Sequence, residues 1–146
     1  MSGSPDEPLL KVEGLRTWFP IKRGLLQRTT GHVQAVTDVD LEIAPASTLA
    51  LVGESGCGKT TVGRSILRLT PAQAGRVSFE GVDLMKLSEA ELRGYRRHVQ
   101  VIFQDPMASL NPRMRVHDSV AEGMRSFGIG RDEADRTERI KALFGK

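Results

Sequence analysis

One segment of the chain has the residue types and the spacing of a phosphate-binding loop. It fits the pattern G-x-x-x-x-G-K-[ST] at every fixed position and consists of Gly53, Glu54, Ser55, Gly56, Cys57, Gly58, Lys59 and Thr60. Glycines let a backbone fold around an anion with its N–H groups pointing inward, and a helix that starts at the loop adds the positive end of its dipole. The pattern predicts that Lys59 reaches the β- and γ-phosphates of a nucleotide and that the Thr60 hydroxyl is a magnesium ligand.

The segments on either side of this loop match the strand–loop–helix context that the pattern requires. An apolar run at residues 49–52 leads into the loop and predicts a buried strand, and residues 61–69 are compatible with a helix. The alternative is a glycine-rich turn with a chance Lys-Thr pair. It is disfavoured because both flanking elements agree with the motif.

The residues before the loop predict two strands. Residues 9–19 are expected to form the first, with Val12 and Leu15 facing inward. Residues 34–43 alternate in part between apolar and acidic side chains, as a half-buried strand does. The apolar side chains on one face of that strand are Val39, Leu41 and Ile43. Residues 20–32, rich in Lys, Arg, Gly and Thr, indicate a loop or a hairpin extension between the two strands.

Residues after the loop predict a mixture of short strands and helices. Residues 70–71 are expected to end the first helix and residues 74–75 to form a turn. Ser88 and Glu91 have the spacing of a capping box, which predicts a helix from there to about Arg97. The remaining predicted elements are strands at residues 76–79 and 98–103, a loop at 104–113, and helices at 116–127 and 132–144.

Composition limits the classes of protein to which the chain can belong. Its 146 residues carry a formal net charge of +3, but no block of Arg and Lys is interleaved with aromatic residues, so no nucleic-acid partner is predicted. A single cysteine, Cys57, cannot form an intramolecular disulfide. No stretch approaches the ~18 apolar residues of a membrane span, and the start of the chain is unlike a signal peptide. We therefore expect a cytoplasmic protein that meets a membrane through a partner.

Gln104 is a second candidate for chemistry, because it follows the predicted strand at residues 98–103. In a fold built around a phosphate-binding loop, a side chain at such a strand end can reach the magnesium and the γ-phosphate. A neutral glutamine suits that place, since its carbonyl oxygen can ligate magnesium and its amide can orient a water molecule.

The loop and Gln104 together resemble the nucleotide-binding subunit of ABC transporters, in which Gln104 corresponds to the glutamine of the Q-loop. Three segments look, more narrowly, like the ATPases of oligopeptide and dipeptide importers, and like the second of their two paired ATPase subunits. They are residues 52–61 (VGESGCGKTT), 103–116 (FQDPMASLNPRMRV) and 24–36 (GLLQRTTGHVQAV). The resemblance extends from about residue 9 to residue 130.

This resemblance implies an α/β fold: an ABC-type P-loop core, incomplete in this chain, with an N-terminal antiparallel β region and the start of a helical subdomain. Residues 1–8 would be a disordered N-terminus, and residues 9–146 the N-terminal portion of an ABC ATP-binding domain. The cofactors implied are ATP and Mg2+, with Thr60 and Gln104 at the metal and Lys59 and Gln104 in catalysis. The residues expected to contact the nucleotide are Phe19, Gly53, Ser55, Gly56, Cys57, Gly58, Lys59, Thr60 and Thr61.

Two of these assignments rest on the family pattern. An aromatic residue on the first strand stacks on adenine in the family, and this role corresponds to Phe19, with Trp18 as the alternative. Neighbours on a strand point to opposite faces, so one of the two is expected to be core. Thr61 corresponds to the family residue that meets the α-phosphate.

The function implied is ATP binding by the energy-coupling subunit of a bacterial peptide importer, at the cytoplasmic face of the membrane. Its partners would be a second ATPase subunit, arranged head to tail, and membrane permeases contacted by residues 104–114. A P-loop kinase or GTPase is the first alternative, but the guanine-reading pattern Asn-Lys-x-Asp is absent, and the segment around Gln104 would have no explanation.

The sequence also departs from the family. It has no Leu-Ser-Gly-Gly-Gln signature, no four-apolar run ending in Asp-Glu after Gln104, and no downstream switch histidine. We therefore expect an N-terminal fragment, one piece of a split subunit, or a truncated product, and ATP hydrolysis by the chain is an open question. The second alternative is a truncated module that binds nucleotide or a partner subunit without turnover.

Overall fold

The computed structural model describes residues 7–24, 27–105 and 109–145, in two units that comprise residues 1–96 and 97–146. A four-stranded antiparallel sheet dominates the first unit. Its strands are β1 (Leu10–Arg23), β2 (Arg28–Ile43), β3 (Ala74–Phe79) and β4 (Val82–Asp83), in the order β2-β1-β3-β4. The first unit also contains helix α1 (Lys59–Ile66), a 3-10 turn (Leu84–Lys86) and helix α2 (Glu89–Tyr95).

Strands β1 and β2 form a long antiparallel hairpin and correspond to the strands predicted at residues 9–19 and 34–43. Pro20 pairs with His32 and Arg23 with Arg28, so residues 20–23 and 28–32 extend the hairpin, which is one of the two alternatives predicted for this segment. Val12 and Leu15 are buried as predicted, at 1% and 0% exposure. The alternation in β2 is confirmed as well, with half-buried apolar residues and exposed acidic ones. These half-buried residues are Val39, Leu41 and Ile43.

Helix α1 packs against β1 and β2 and completes the core of the first unit. The Thr17 and Ser65 hydroxyls share a buried hydrogen bond of 2.7 Å that joins the strand to the helix. The apolar side chains buried in this unit are Val12, Leu15, Val36, Val62, Ile66, Val77, Phe79, Leu84 and Leu92. The helix that follows the phosphate-binding loop is therefore fixed to the sheet by both apolar packing and one polar contact.

We expect the Ser65→Ala variant to lose about 1–3 kcal/mol of unfolding free energy, because the Thr17 hydroxyl would remain buried without its partner. Adding Thr17→Val is expected to recover most of that loss, since no buried hydroxyl is then left unpaired. Urea denaturation, monitored by the fluorescence of Trp18, the chain's one tryptophan, measures the unfolding free energy of each variant. A double variant with the summed losses of the two single variants would contradict the coupling.

Two predicted strands and one predicted turn were wrong. Residues 49–52 and 98–103 have no strand conformation, and Leu51, Val52 and Ile102 are exposed, Val52 at 93% and Ile102 at 92%. A strand needs a neighbour that shares its backbone hydrogen bonds, and among the described strands none pairs with either segment. Residues 74–75 do not turn but begin β3, where Ala74 pairs with Arg16.

The capping box at Ser88 is confirmed. The Ser88 hydroxyl accepts a hydrogen bond from the Glu91 N–H at 3.3 Å, and the Glu91 carboxylate accepts one from the Ser88 N–H at 2.8 Å. The Ser88 hydroxyl also donates to the Glu91 carboxylate at 2.6 Å. This bond first, and then the bond from the Ser88 N–H, lower the pKa of Glu91 from its usual value. Helix α2 ends at Tyr95, slightly before the predicted end near residue 97.

The second unit contains the two helices predicted for its sequence, α3 (Val116–Ser126) and α4 (Glu133–Phe144). Their shared core is small and consists of Ala121, Met124 and Ile140, with Val120 and Ile129 packed against it. An ion pair joins the two helices, because the Arg125 guanidinium donates to both Glu133 oxygens at 2.9 and 2.8 Å. Hydrogen bonding to Arg125 lowers the pKa of Glu133 to about 2.

In the described part of the chain, no helix is both long enough and apolar enough to cross a membrane.

Candidate phosphate-binding site

The predicted phosphate-binding loop is an exposed segment that turns at residues 55–58 and enters α1 at Lys59. Gly56 and Gly58 have φ angles of +83° and +94°, in the left-handed region that favours glycine. The loop and helix of the predicted strand–loop–helix arrangement are therefore present, and the strand before them is not.

The start of α1 gives the loop the electrostatics of an anion site. Gly58 is the N-cap residue and makes no side-chain cap, and all of α1 lies in the described part of the chain, with no acidic residue in its first turn. The first N–H groups of a helix have no partner inside the helix. The N–H groups of Lys59, Thr60 and Thr61 therefore stand at the positive end of the helix dipole, where a phosphate oxygen would be stabilised.

Gly58 also attaches the loop to the sheet. A Cβ atom built on Gly58 would overlap the backbone carbonyl oxygen of Ala35 in β2 and touch the Val36 side chain at 3.8 Å. Only a residue without a side chain lets the two backbones approach so closely. The spacing of the motif indicated that position 58 requires glycine, but the contact with Ala35 depends on the tertiary fold and was not predicted.

The Lys59 side chain folds back over the loop that precedes it. Its ammonium group donates to the carbonyl oxygens of Gly53 at 2.7 Å and Glu54 at 2.6 Å, and it lies 3.4 Å from the Cys57 Sγ atom. The structure thus places three other motif residues around the Lys59 ammonium group. A phosphate group that entered the loop would meet this ammonium group together with the N–H groups of the helix start.

The two aromatic candidates for adenine stacking lie next to each other on β1 but differ in exposure. Phe19 is 42% exposed and pairs with Val33 across the hairpin. Trp18 is half-buried, and its indole N–H donates to the Thr37 hydroxyl at 3.2 Å. Phe19 is therefore the more exposed of the two residues, and the indole of Trp18 is hydrogen-bonded to β2. The assignment of adenine stacking to Phe19 remains a prediction.

Gln104 belongs to the second unit, where it is exposed in a segment without regular secondary structure. The strand that was expected to present it is not formed, so its role at the metal and the γ-phosphate remains a prediction. Residues 106–108 of the same loop, within the expected contact with a permease, lie outside the described residues. Within the described residues, no group of three or more His, Cys, Asp or Glu side chains is arranged to hold a metal ion.

A model of the ABC transporter family matches residues 36–145. The chain belongs to the ABC transporter family. This match confirms the family that the loop and Gln104 suggested, and it includes the whole of the loop and both helices of the second unit.

Curated ABC relatives are similar over nearly all of this chain. It is 48% identical over 143 residues to the glutathione import ATP-binding protein GsiA of Escherichia coli (strain K12), and the match covers 94% of the chain. It is 46% identical over 128 residues to the protein of that name in Salmonella paratyphi A (strain ATCC 9150 / SARB42), covering 88% of the chain and 20% of that relative. The chain spans 23% of the length of the E. coli relative.

Solved ABC structures confirm the fold class. The dimeric structure of MJ0796, a bacterial ABC transporter cassette, matches with a TM-score of 0.71 at 21% identity, over 89% of this chain and 53% of that chain. A post-hydrolysis dimer of the same cassette, bound to ADP and Pi, matches with a TM-score of 0.70 at 21% identity, over the same shares of the two chains. The predicted α/β fold of ABC type, with an antiparallel β region and helices, is therefore present.

We expect alkylation of Cys57 by N-ethylmaleimide to abolish nucleotide binding, because the thiol is exposed and lies 3.4 Å from the Lys59 ammonium. An adduct there would occupy the concave side of the loop. The measurement is binding of a fluorescent ATP analogue before and after labelling, with prior ATP expected to slow the labelling. The Cys57→Ser variant is the control and should bind nucleotide and resist the reagent. Complete labelling without loss of binding would contradict the expectation.

Proposed function

We propose that this chain binds ATP with Mg2+ as part of the energy-coupling subunit of a bacterial ABC importer for peptides. The observation that carries the proposal is the loop–helix geometry. The Lys59 ammonium lies 2.7 Å and 2.6 Å from two loop carbonyls, at the start of a helix without a side-chain cap. Such a concentration of donors and positive charge at an exposed loop suits a polyphosphate.

Each motif residue would have a distinct task at the nucleotide. The N–H groups of the glycines and of Ser55 would bind phosphate oxygens, and Lys59 would exchange its loop carbonyls for the β- and γ-phosphates. Thr61 would meet the α-phosphate, and the Phe19 ring would stack on adenine. Bound Mg2+ would neutralise phosphate charge, held by the exposed Thr60 hydroxyl and, in the assembled protein, by Gln104.

A peptide-type cargo is supported by the relatives, since GsiA is named as a glutathione import protein and glutathione is a small peptide. The partners we propose are a second ATPase subunit in a head-to-tail pair and membrane permeases. The dimeric state of the MJ0796 cassette supports the first of these. The chain would then act at the cytoplasmic face of the membrane, and residues 104–114 would transmit its motion to the permeases.

Equilibrium binding with the purified chain tests the nucleotide site. ATP in the presence of Mg2+ is expected to bind, inorganic tripolyphosphate to compete with it, and AMP to compete poorly because it lacks the β- and γ-phosphates. Failure of both ATP and tripolyphosphate to bind would overturn the proposal. Phosphate release after mixing with a full-length partner ATPase then separates a subunit that supports turnover from a module that only binds nucleotide.

A further inference from the structure

Beside β1, the backbone N–H and C=O groups of Trp18 are bound by a side chain, at a place where a residue of a neighbouring strand would be expected. Strand β3 pairs with β1 only as far as Arg16, which lies opposite Ala74. The Gln73 N–H then donates to the Arg16 carbonyl oxygen at 2.9 Å. No residue of β3 lies opposite Trp18, because β3 begins at Ala74.

The carboxamide of Gln73 supplies the bonds of that missing strand residue. Its Oε1 atom accepts from the Trp18 N–H at 2.6 Å, and its Nε2 atom donates to the Trp18 carbonyl oxygen at 3.0 Å. Two residues of an antiparallel ladder exchange this same pair of bonds. A carboxamide can take the place of a strand residue there because it offers an acceptor oxygen and a donor N–H side by side.

The two hydrogen bonds between the Gln73 carboxamide and the Trp18 backbone, called the Gln73 clamp below, lie where the pairing of β1 with β2 is irregular. The pairing between β1 and β2 shifts register on both sides of Thr17, the second time between Thr17 and Trp18. Such a shift disrupts the ladder locally, and two strands without further support are marginally stable. Trp18 directly precedes Phe19, so the orientation of the Trp18 peptide sets the direction in which the Phe19 ring projects.

We propose that Gln73 is a positioning residue for the aromatic ring that stacks on the adenine base. The proposal rests on the proposed function, and Gln73 itself touches no nucleotide in it. The side chain acts through the Trp18 peptide and thereby holds the exposed face of Phe19 in one orientation. Loss of the clamp would therefore weaken binding of the base and leave binding of the phosphates unchanged, because the phosphates are bound by residues 53–61.

The test compares Gln73→Leu with Gln34→Leu, a matched control that makes the same change at an exposed β2 residue opposite Trp18. Two ligands are titrated in the presence of Mg2+: ATP, and inorganic tripolyphosphate, which has no base. Gln73→Leu is expected to weaken ATP binding roughly fivefold to tenfold, a part of the stacking contribution of one base, and to leave tripolyphosphate binding unchanged. Gln34→Leu is expected to change neither.

A second readout needs no nucleotide, because Trp18 is the one tryptophan of the chain. Acrylamide quenching of its fluorescence is expected to rise in Gln73→Leu and to rise less in Gln73→Glu, which keeps the acceptor for the Trp18 N–H and loses the donor. The loss of ATP affinity is expected to follow the same order.

The results that would contradict the positioning role differ from those that would contradict the proposed function. Equal losses for ATP and tripolyphosphate in Gln73→Leu, or greater quenching with unchanged ATP affinity, would overturn the positioning role and leave the nucleotide site standing. A wild-type chain that binds neither ligand would overturn the proposed function, and the positioning role with it.

Discussion

The Gly58→Ala variant is expected to unfold about 2–4 kcal/mol more easily than the wild-type chain and to lose nucleotide binding. Two effects add at this residue. Its φ of +94° is costly for any residue with a side chain, and the new Cβ atom would overlap the Ala35 carbonyl oxygen. Because the obstacle is backbone and not the flexible end of a side chain, relief requires the loop to move away from β2. Urea denaturation and ATP titration measure the two losses.

Two other glycines separate these effects. Gly56 has a φ of +83°, but no atom of the described residues lies within 4 Å of an added Cβ, so Gly56→Ala should cost only the backbone strain, about 1–2 kcal/mol. Gly63 lies inside α1, and an added Cβ there meets nothing within 4 Å in the part of the chain that the structure describes, so Gly63→Ala should stabilise the chain by about 0.5–1 kcal/mol. If Gly58→Ala proved no less stable than Gly56→Ala, the contact with Ala35 would not be important for stability.

The Lys59→Met variant is expected to bind ATP at least about 100-fold more weakly, the equivalent of about 3 kcal/mol of charge-assisted hydrogen bonds to phosphate. Its unfolding free energy should change little, because the carbonyl groups of Gly53 and Glu54 that lose the ammonium are in an exposed segment and can bond to water. Titration with ATP and with tripolyphosphate should show the same loss, since Lys59 acts on the phosphates and not on the base.

Lys86→Met is the matched control for the removal of one positive charge. Its side chain is 82% exposed and lies 3.7 Å from Asp83, in a short 3-10 turn. We expect ATP affinity to be unchanged in this variant. A loss in Lys86→Met as large as that in Lys59→Met would show that general electrostatic attraction dominates, and the local role of Lys59 would then be wrong.

The elements that sequence reasoning placed correctly are those specified by local signals. The alternation in β2, the capping box at Ser88 and the helical patterns of α3 and α4 each depend on neighbouring residues, and each is present in the structure. The two missing strands are different, because apolar composition shows only that a segment suits a sheet. Whether residues 49–52 and 98–103 become strands depends on hydrogen-bonding neighbours, which the composition of a segment does not reveal.

The features of the candidate site also fall into those that local sequence predicts and those that it does not. The loop was found because its glycines, Lys59 and Thr60 are close in sequence and their spacing has a direct physical meaning. The approach of Gly58 to Ala35 and the clamp from Gln73 to Trp18 join residues far apart in the chain. No local pattern marks either of them, since a glutamine in a turn and an alanine in a strand are ordinary at those places.

The apolar core shared by the two helices of the second unit is small, and polar contacts also join the helices. This core comprises three buried side chains and two partly buried ones. Arg125 and Glu133 form an exposed ion pair between the helices, and the His117 ring shares a hydrogen bond with the Thr137 hydroxyl. Attraction between exposed charges is screened by salt, whereas apolar burial is not weakened by it. Exposed ion pairs also cross the β1–β2 hairpin, between Arg16 and Asp38 and between Lys11 and Glu42. A rise in salt is therefore expected to weaken the ionic contacts of both units and to leave apolar packing as the main force that holds α3 to α4 and β1 to β2.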